Sequence, residues 1–466
     1  MEAGEIPMIR TRRDFLRTAS GAAAAMGLPL SASTGLTANP TSRPPQASSV
    51  EVIHPMGRRP ISWIVDDSTC LVNLNRFTMP HFALLGRSGT INKRWRDMPY
   101  EIPNTFVRRF GNWCARHGVK GKWSVVPYPA YVGRLDRELP GWTARELADS
   151  LRLVRTVMMP NWDIHPEMIT HTRVIDLKTG QPYPKHTALY AENYEWTNGK
   201  SADELTAYLS YALNILKNAG LHCDGVTSPG QFGMNVESEY GLATLEACRN
   251  VFGTEIPNYF LHVVSSGTEN VSPRVLHASG LEGNDPRCVV SIIGCTEDWT
   301  GNWNCMTQPS PDLFITPDLS SGRLVEVIER GEAAVPICHW TGIYYNGHEF
   351  GFQAFREVIR RIETRYDDLL WMKLSELARY WAARELTRID EKAGRLGLRA
   401  PFACPAFTIR VKTQQKGPVT LGTGKPLVEV TRQRDLKAGA WIRNGETVTI
   451  CFDLPKGKTT LAIGNG

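Results

Sequence analysis

The stretch Ile61-Ser62-Trp63-Ile64-Val65-Asp66-Asp67-Ser68 decides the reading of this chain. An apolar run of strand length ends in two adjacent carboxylates. Side chains alternate along a strand, so neighbours at its end face different ways and suit different tasks. One can hold a metal ion while the other moves a proton. Taken alone, Asp-Asp reads equally well as a turn or a helix cap. Two histidines, in Thr170-His171-Thr172 and Ile337-Cys338-His339-Trp340, stand at the ends of other apolar runs and shift that balance. Aspartate and histidine gathered at strand ends form the donor set of metal-assisted hydrolysis.

Outward from this stretch, strands alternate with helices from Val50 to about Trp381. Trp63 to Val65, Lys122 to Val126, Pro166 to Thr170, the run from Gly225, Cys288 to Ile293 and Val335 to His339 read as strands. Pro103 to His117, Thr143 to Met158, Phe350 to Tyr366 and Leu374 to Leu386 read as helices. Thr143-Ala-Arg-Glu146 and Ser201-Ala-Asp-Glu204 are capping boxes, and Leu205, Leu209, Leu213 and Leu216 recur at helical spacing after the second. Such alternation favours a parallel barrel or an open parallel sheet. After about Arg399 the period changes to two, in Phe407 to Val411 and Glu446 to Phe452, which predicts a small C-terminal all-β appendage.

The N-terminus carries a twin-arginine signature, Thr11-Arg12-Arg13-Asp14-Phe15-Leu16-Arg17, followed by an apolar run from Ala19 to Leu30. That run is shorter than the roughly 20 residues that cross a bilayer, so the mature protein is expected to have no stable span. Export by the twin-arginine machinery, to the periplasm or outside the cell, is the expectation. The predicted division is a signal over 1–38, a Pro/Ser-rich linker over 39–50, an α/β domain over 51–385 and a β-rich domain over 400–466. The formal net charge of +6 includes the signal's arginines, and no Lys/Arg run interleaves with aromatics, so nucleic acid is not an expected partner. Ten cysteines are scattered without a CxxC pair, which argues against a zinc ribbon or a redox motif.

The order of these motifs resembles the polysaccharide deacetylase superfamily over roughly Ser62 to Trp381. The resemblance implies a distorted (β/α) barrel, a divalent metal ion such as zinc, and a carbohydrate substrate that loses an acyl group. It implies Asp66 as catalytic base, Asp67 as metal ligand and His171 as a further ligand. A second histidine normally follows His171 by about four residues; Ile175 and Asp176 stand there instead, before an apparent insertion over Leu177 to Asn193. Asp176, His186, Glu195 or His165 are the candidate replacements, and Glu195 is carried forward as the third ligand. The family's third motif supplies an arginine that orients the base. Thr227-Ser228-Pro229-Gly230 keeps the proline and lacks the arginine, leaving Arg173 as a substitute from elsewhere. Glu297-Asp298-Trp299 matches the fourth motif, with Trp299 as a pocket wall and Asp298 beside the substrate or tuning the acid. Val335 to His339 matches the fifth, with His339 as general acid. Tyr345 and His348, in the loop that follows, are candidate substrate contacts.

Two other readings compete. A metal-independent glycoside hydrolase would use Asp66, Asp67, Glu195 or Asp298 as paired carboxylates. A non-catalytic carbohydrate-binding protein on a deacetylase scaffold would account for the missing histidine and arginine.

Overall fold

A computed structural model describes residues 43–392, 394–422 and 424–464. The twin-arginine signature lies outside the described residues. Among the described residues, no helix is long and apolar enough to cross a membrane.

The site is carried by two four-stranded sheets. The first contains β1 (Trp63–Asp66), β2 (Gly121–Ser124) and β3 (Trp162–His165). The second contains β4 (Gly225–Thr227), β5 (Asn258–Val263), β6 (Arg274–Ser279) and β7 (Arg287–Gly294). β8 (Ile337–His339) returns to the first sheet beside β1, giving the order β8-β1-β2-β3, all parallel. In the second sheet β4, β5 and β7 run parallel and β6 closes the edge antiparallel. Every residue of β1 is buried, as expected of a parallel strand covered on both faces. β1 and β2 approach so closely that a Cβ on Gly121 would sit 1.9 Å from the Trp63 carbonyl oxygen. The sheets meet at two seams. Thr227 N donates to Pro166 O at 3.0 Å; at the other seam Cys295 N donates to Val335 O at 2.8 Å. In place of the expected barrel, the described residues form two parallel-rich sheets joined at seams, without continuous ladder closure.

Local signals in the sequence work as expected along the helices. Thr143 and Glu146 exchange hydrogen bonds at the start of Ala144–Leu153, and Ser201 and Glu204 do so before Ala202–Asn218. Leu205, Leu209, Leu213 and Leu216 of the second helix are buried. One strand is displaced from its expected place: β3 ends at His165, and Pro166 to Thr170 is loop. Proline has no N–H to give a ladder, and Met168 adopts a left-handed conformation with φ 50°.

The β-rich region begins at Arg388 and forms two five-stranded sheets. It is not purely C-terminal, because Val50–Val52 pairs with Cys404–Lys412 at its edge. From residue 43 onward the stretch before it is also tied down, with Ala47 N donating to Ile389 O at 2.8 Å. Helix Leu374–Leu386 joins the two regions. Leu377 and Trp381 share one apolar cluster with Val290 and Ile292 of β7 and with Phe407 and Ile450 of the β region. Each such fully buried side chain contributes about 1.5–3 kcal/mol.

Candidate metal centre

β1 ends on Asp66 in register with His339 of β8, so the sheet itself brings these two motifs together. The chain then turns sharply. Asp67 has φ 58° and His171 has φ 71°, both left-handed conformations that cost a non-glycine residue free energy and recur at functional sites. The turn aims Asp67 at the loop that follows β3. There His171 Nε2 lies 2.7 Å from Asp67 Oδ1 and 3.4 Å from Glu167 Oε1. Asp67 N donates to Glu167 Oε2 at 2.8 Å. One ligand atom from each of Asp67, Glu167 and His171 falls within 4.8 Å of the other two.

This donor set fits a divalent cation. All three residues are buried, and two carboxylates facing each other in a dry site require a positive charge between them. His171 supplies one by staying protonated when no ion is bound. Burial opposes this, yet Asp67 and Glu167 hold its pKa well above the usual imidazole value. Asp67 is correspondingly held low: burial opposes that shift, and His171 and His339 outweigh it.

The loop bearing His171 is clamped from behind by Glu192. This buried carboxylate accepts from Ile169 N and Thr170 N, both at 3.2 Å, and from Tyr208 Oη at 2.5 Å. Burial pushes its pKa up to about 7.

His339 faces the same space. Its Nδ1 lies 2.9 Å from Asp298 Oδ2, and its backbone N–H donates to that oxygen at 3.1 Å. The other Asp298 oxygen accepts from Thr300 N and Oγ1 at 2.8 and 2.7 Å. Asp298 thereby fixes the ring and leaves Nε2 available. Burial opposes protonation of His339, but Asp67, Asp298 and Asp66 raise its pKa to about 9. Asp66 itself is raised, by burial first, with Lys122 opposing.

Asp66, Asp67, Glu167, His171, Asp298 and His339 line one cleft of about 250 Å³. Its walls include Phe82, Trp303 and Tyr194, with the Arg87 guanidinium 4.5 Å from the centre of the Tyr194 ring. The structure therefore gathers Asp66, Asp67, His171, Asp298 and His339.

Other expected residues lie elsewhere. Glu195 is exposed and outside the cluster; Glu167 stands in the place it was expected to take. Asp176 caps a turn through Lys178 N at 3.0 Å, His186 packs against the His81 ring at 5.5 Å, and His165 lies 3.4 Å from Thr227 Oγ1. Arg173 donates to Tyr183 O at 2.6 Å, and the cation on Asp66 is Lys122. Trp299 packs edge-on against Phe314 at 5.0 Å, and Trp303 forms the indole wall of the cleft. Asp298 lines the cleft and bonds His339, the arrangement expected of a carboxylate that tunes the acid. Tyr345 packs against Gly301 and exposed His348 stacks on Phe350 at 5.3 Å, both outside the described lining. Sequence reasoning missed Glu167, although a carboxylate four residues before the histidine, in Glu167-Met-Ile-Thr-His171, was the available signal.

Comparison with protein-family models gives no match, and comparison with curated proteins gives none. Among solved structures, the chain is similar to a probable polysaccharide deacetylase from Pseudomonas aeruginosa PAO1, with 13% identity, 59% of this chain and 72% of that one covered, and a TM-score of 0.35. It is similar to a putative glycoside hydrolase/deacetylase from Parabacteroides distasonis, with 10% identity, 83% and 90% coverage and a TM-score of 0.39. The alpha-fucosidase of Thermotoga maritima matches with 12% identity, 88% and 97% coverage and a TM-score of 0.28. Likeness at this level decides nothing about chemistry, which rests on the side chains of the cleft.

Proposed function

We propose that the cleft is the active site of a metal-dependent hydrolase that removes acyl groups from carbohydrate. One observation carries the reading: Asp67, Glu167 and His171 converge on a space that Asp66 and His339 also face. Asp67, Glu167 and His171 would hold the ion, and zinc suits a mixed imidazole and carboxylate set. When bound, a divalent ion supplies a lowered pKa for attacking water and polarisation of the acyl oxygen.

The chain's own residues do the rest. Asp66 accepts the proton of the attacking water as general base. His339, protonated through the neutral range, gives a proton from Nε2 to the departing amine or alkoxide. Asp298 keeps Nδ1 engaged so that only Nε2 acts. Trp303 and Tyr194 offer ring faces to the substrate. The absent second histidine, the main support for a binding-only protein, is offset by Glu167.

The two sheets are read here as one distorted (β/α) barrel opened at two seams. The leader sequence supports export by the twin-arginine route to the periplasm or beyond.

The test is acetate release from acetylated oligosaccharides by metal-stripped protein before and after adding zinc, cobalt or manganese. Activity that returns with the ion supports the reading. Undiminished glycosidic cleavage by the stripped protein would sink it, and would favour paired carboxylates instead.

A further inference from the structure

Lys122 sits inside β2 with 0% exposure. Lysine is almost never buried to this extent without a partner. Its ammonium donates to Asp66 Oδ1 and, at 2.8 Å, to Ser124 Oγ, two residues along the same strand face. Ser124 Oγ also reaches Asp66 Oδ1, at 3.3 Å. The Phe260 ring centre lies 5.5 Å from the ammonium, and burial together with the Lys122 charge holds the His165 imidazole well below its ordinary pKa. One oxygen of Asp66 is therefore held by β2, and Asp66 is not among the three residues whose ligand atoms converge. The neighbouring Asp67 pairs instead with His171, whose Nε2 lies 2.7 Å from Asp67 Oδ1.

We propose that Lys122 is a positioning residue that anchors Asp66 outside the ligand set, and so assigns the two adjacent aspartates to different tasks. The arginine that the resemblance expects at Thr227 to Gly230 is absent, and a lysine on a neighbouring strand takes its place. That Asp66 then serves as proton acceptor rests on the hydrolase reading; the anchoring does not.

The test uses cobalt as the ion and three variants of the whole protein: Lys122→Met, Lys122→Arg, and Lys122→Met combined with Asp66→Asn. In Lys122→Met the freed Asp66 carboxylate should swing to the ion, changing the visible absorption of bound cobalt. Turnover should fall on the order of 10–100-fold, as for lost outer-shell partners, with KM little changed. Lys122→Arg should keep the wild-type spectrum and most of the turnover. The double variant should regain the wild-type spectrum without regaining turnover. If Lys122→Met does not fold but the double variant does, the anchoring is supported, because only the unpaired buried carboxylate was intolerable. A folded Lys122→Met with wild-type spectrum and turnover would overturn the proposal. So would failure of both Met variants to fold, which would make Lys122 a core group. A wild type that binds cobalt and hydrolyses nothing, while Lys122→Met shifts the spectrum, would overturn the hydrolase reading and leave the anchoring intact.

Discussion

Two buried regions of this molecule are built on opposite principles. Around Trp381 and Phe407 the helix Leu374–Leu386 seals the β region to the strands with apolar side chains. Its buried hydroxyl, on Tyr380, is satisfied: it donates to Ile53 O at 2.5 Å and accepts from Thr408 N at 3.2 Å. At the cleft, four buried carboxylates (Asp66, Asp67, Glu167 and Asp298) crowd around Lys122, His171 and His339, with left-handed backbone at Asp67 and His171. Burying charge costs stability even when it is paired, and left-handed conformations add to the cost. The apolar seam stabilises the fold; the cleft is a place where stability is given up for chemistry. Substitutions should separate the two.

The largest effect is expected from the ligand set. Asp67→Ala and Glu167→Ala should each abolish stoichiometric metal in protein that still folds, while Glu195→Ala should keep it. Elemental analysis of the purified variants decides this. Retention of metal by Glu167→Ala together with its loss from Glu195→Ala would reverse the assignment. Next, His339→Ala should lower turnover by roughly 10²–10⁴-fold, the usual range for a general acid, with metal content unchanged. In the seam, Phe407→Ala should cost about 3–5 kcal/mol of unfolding free energy, read from denaturant melts. Metal content of its folded fraction should match wild type; loss of metal there would erase the distinction between the two regions.

The smallest effect is a pH dependence. The folded pKa of His339, about 9, lies above its ordinary value of 6.5. A raised imidazole stabilises the fold fully below about pH 6.5, and that contribution fades as pH climbs through about 9. Metal-free wild type should therefore exceed metal-free His339→Gln in stability at pH 6, and the gap should narrow by pH 9.5. A gap that widens with pH would mean that His339 folds neutral.

The same contrast explains what could be read before the structure. Asp66, Asp67, His171 and His339 were legible because each follows an apolar run, and strand ends collect on one face. Glu167 was overlooked: its place four residues before His171 was visible, but no propensity announces the left-handed turn at Met168 that lies between them. Lys122 was hidden for another reason. Lys122 to Val126 reads as a strand, but nothing local says which of its side chains meets a carboxylate of the neighbouring strand; the pairing with β1 and the ion pair with Asp66 do. The pairing of Val50–Val52 with Cys404–Lys412 joins residues some 360 apart, beyond the reach of any local pattern. By contrast, the capping boxes at Thr143 and Ser201 are complete within four residues, and both were read correctly.

The cysteines carry a last consequence. All ten are unpaired and buried, and burial pushes every one of their thiols above the ordinary value. Thiolate is the reactive form, so in the folded molecule these groups are silent to alkylation. They are also spread through the chain, from Cys70 in the apolar core of the α/β domain to Cys451 in the β region. Each is a built-in clock for the opening of its own neighbourhood: the order in which the ten become labelled under mild denaturant would chart which part of the protein lets go first, with no engineered probe.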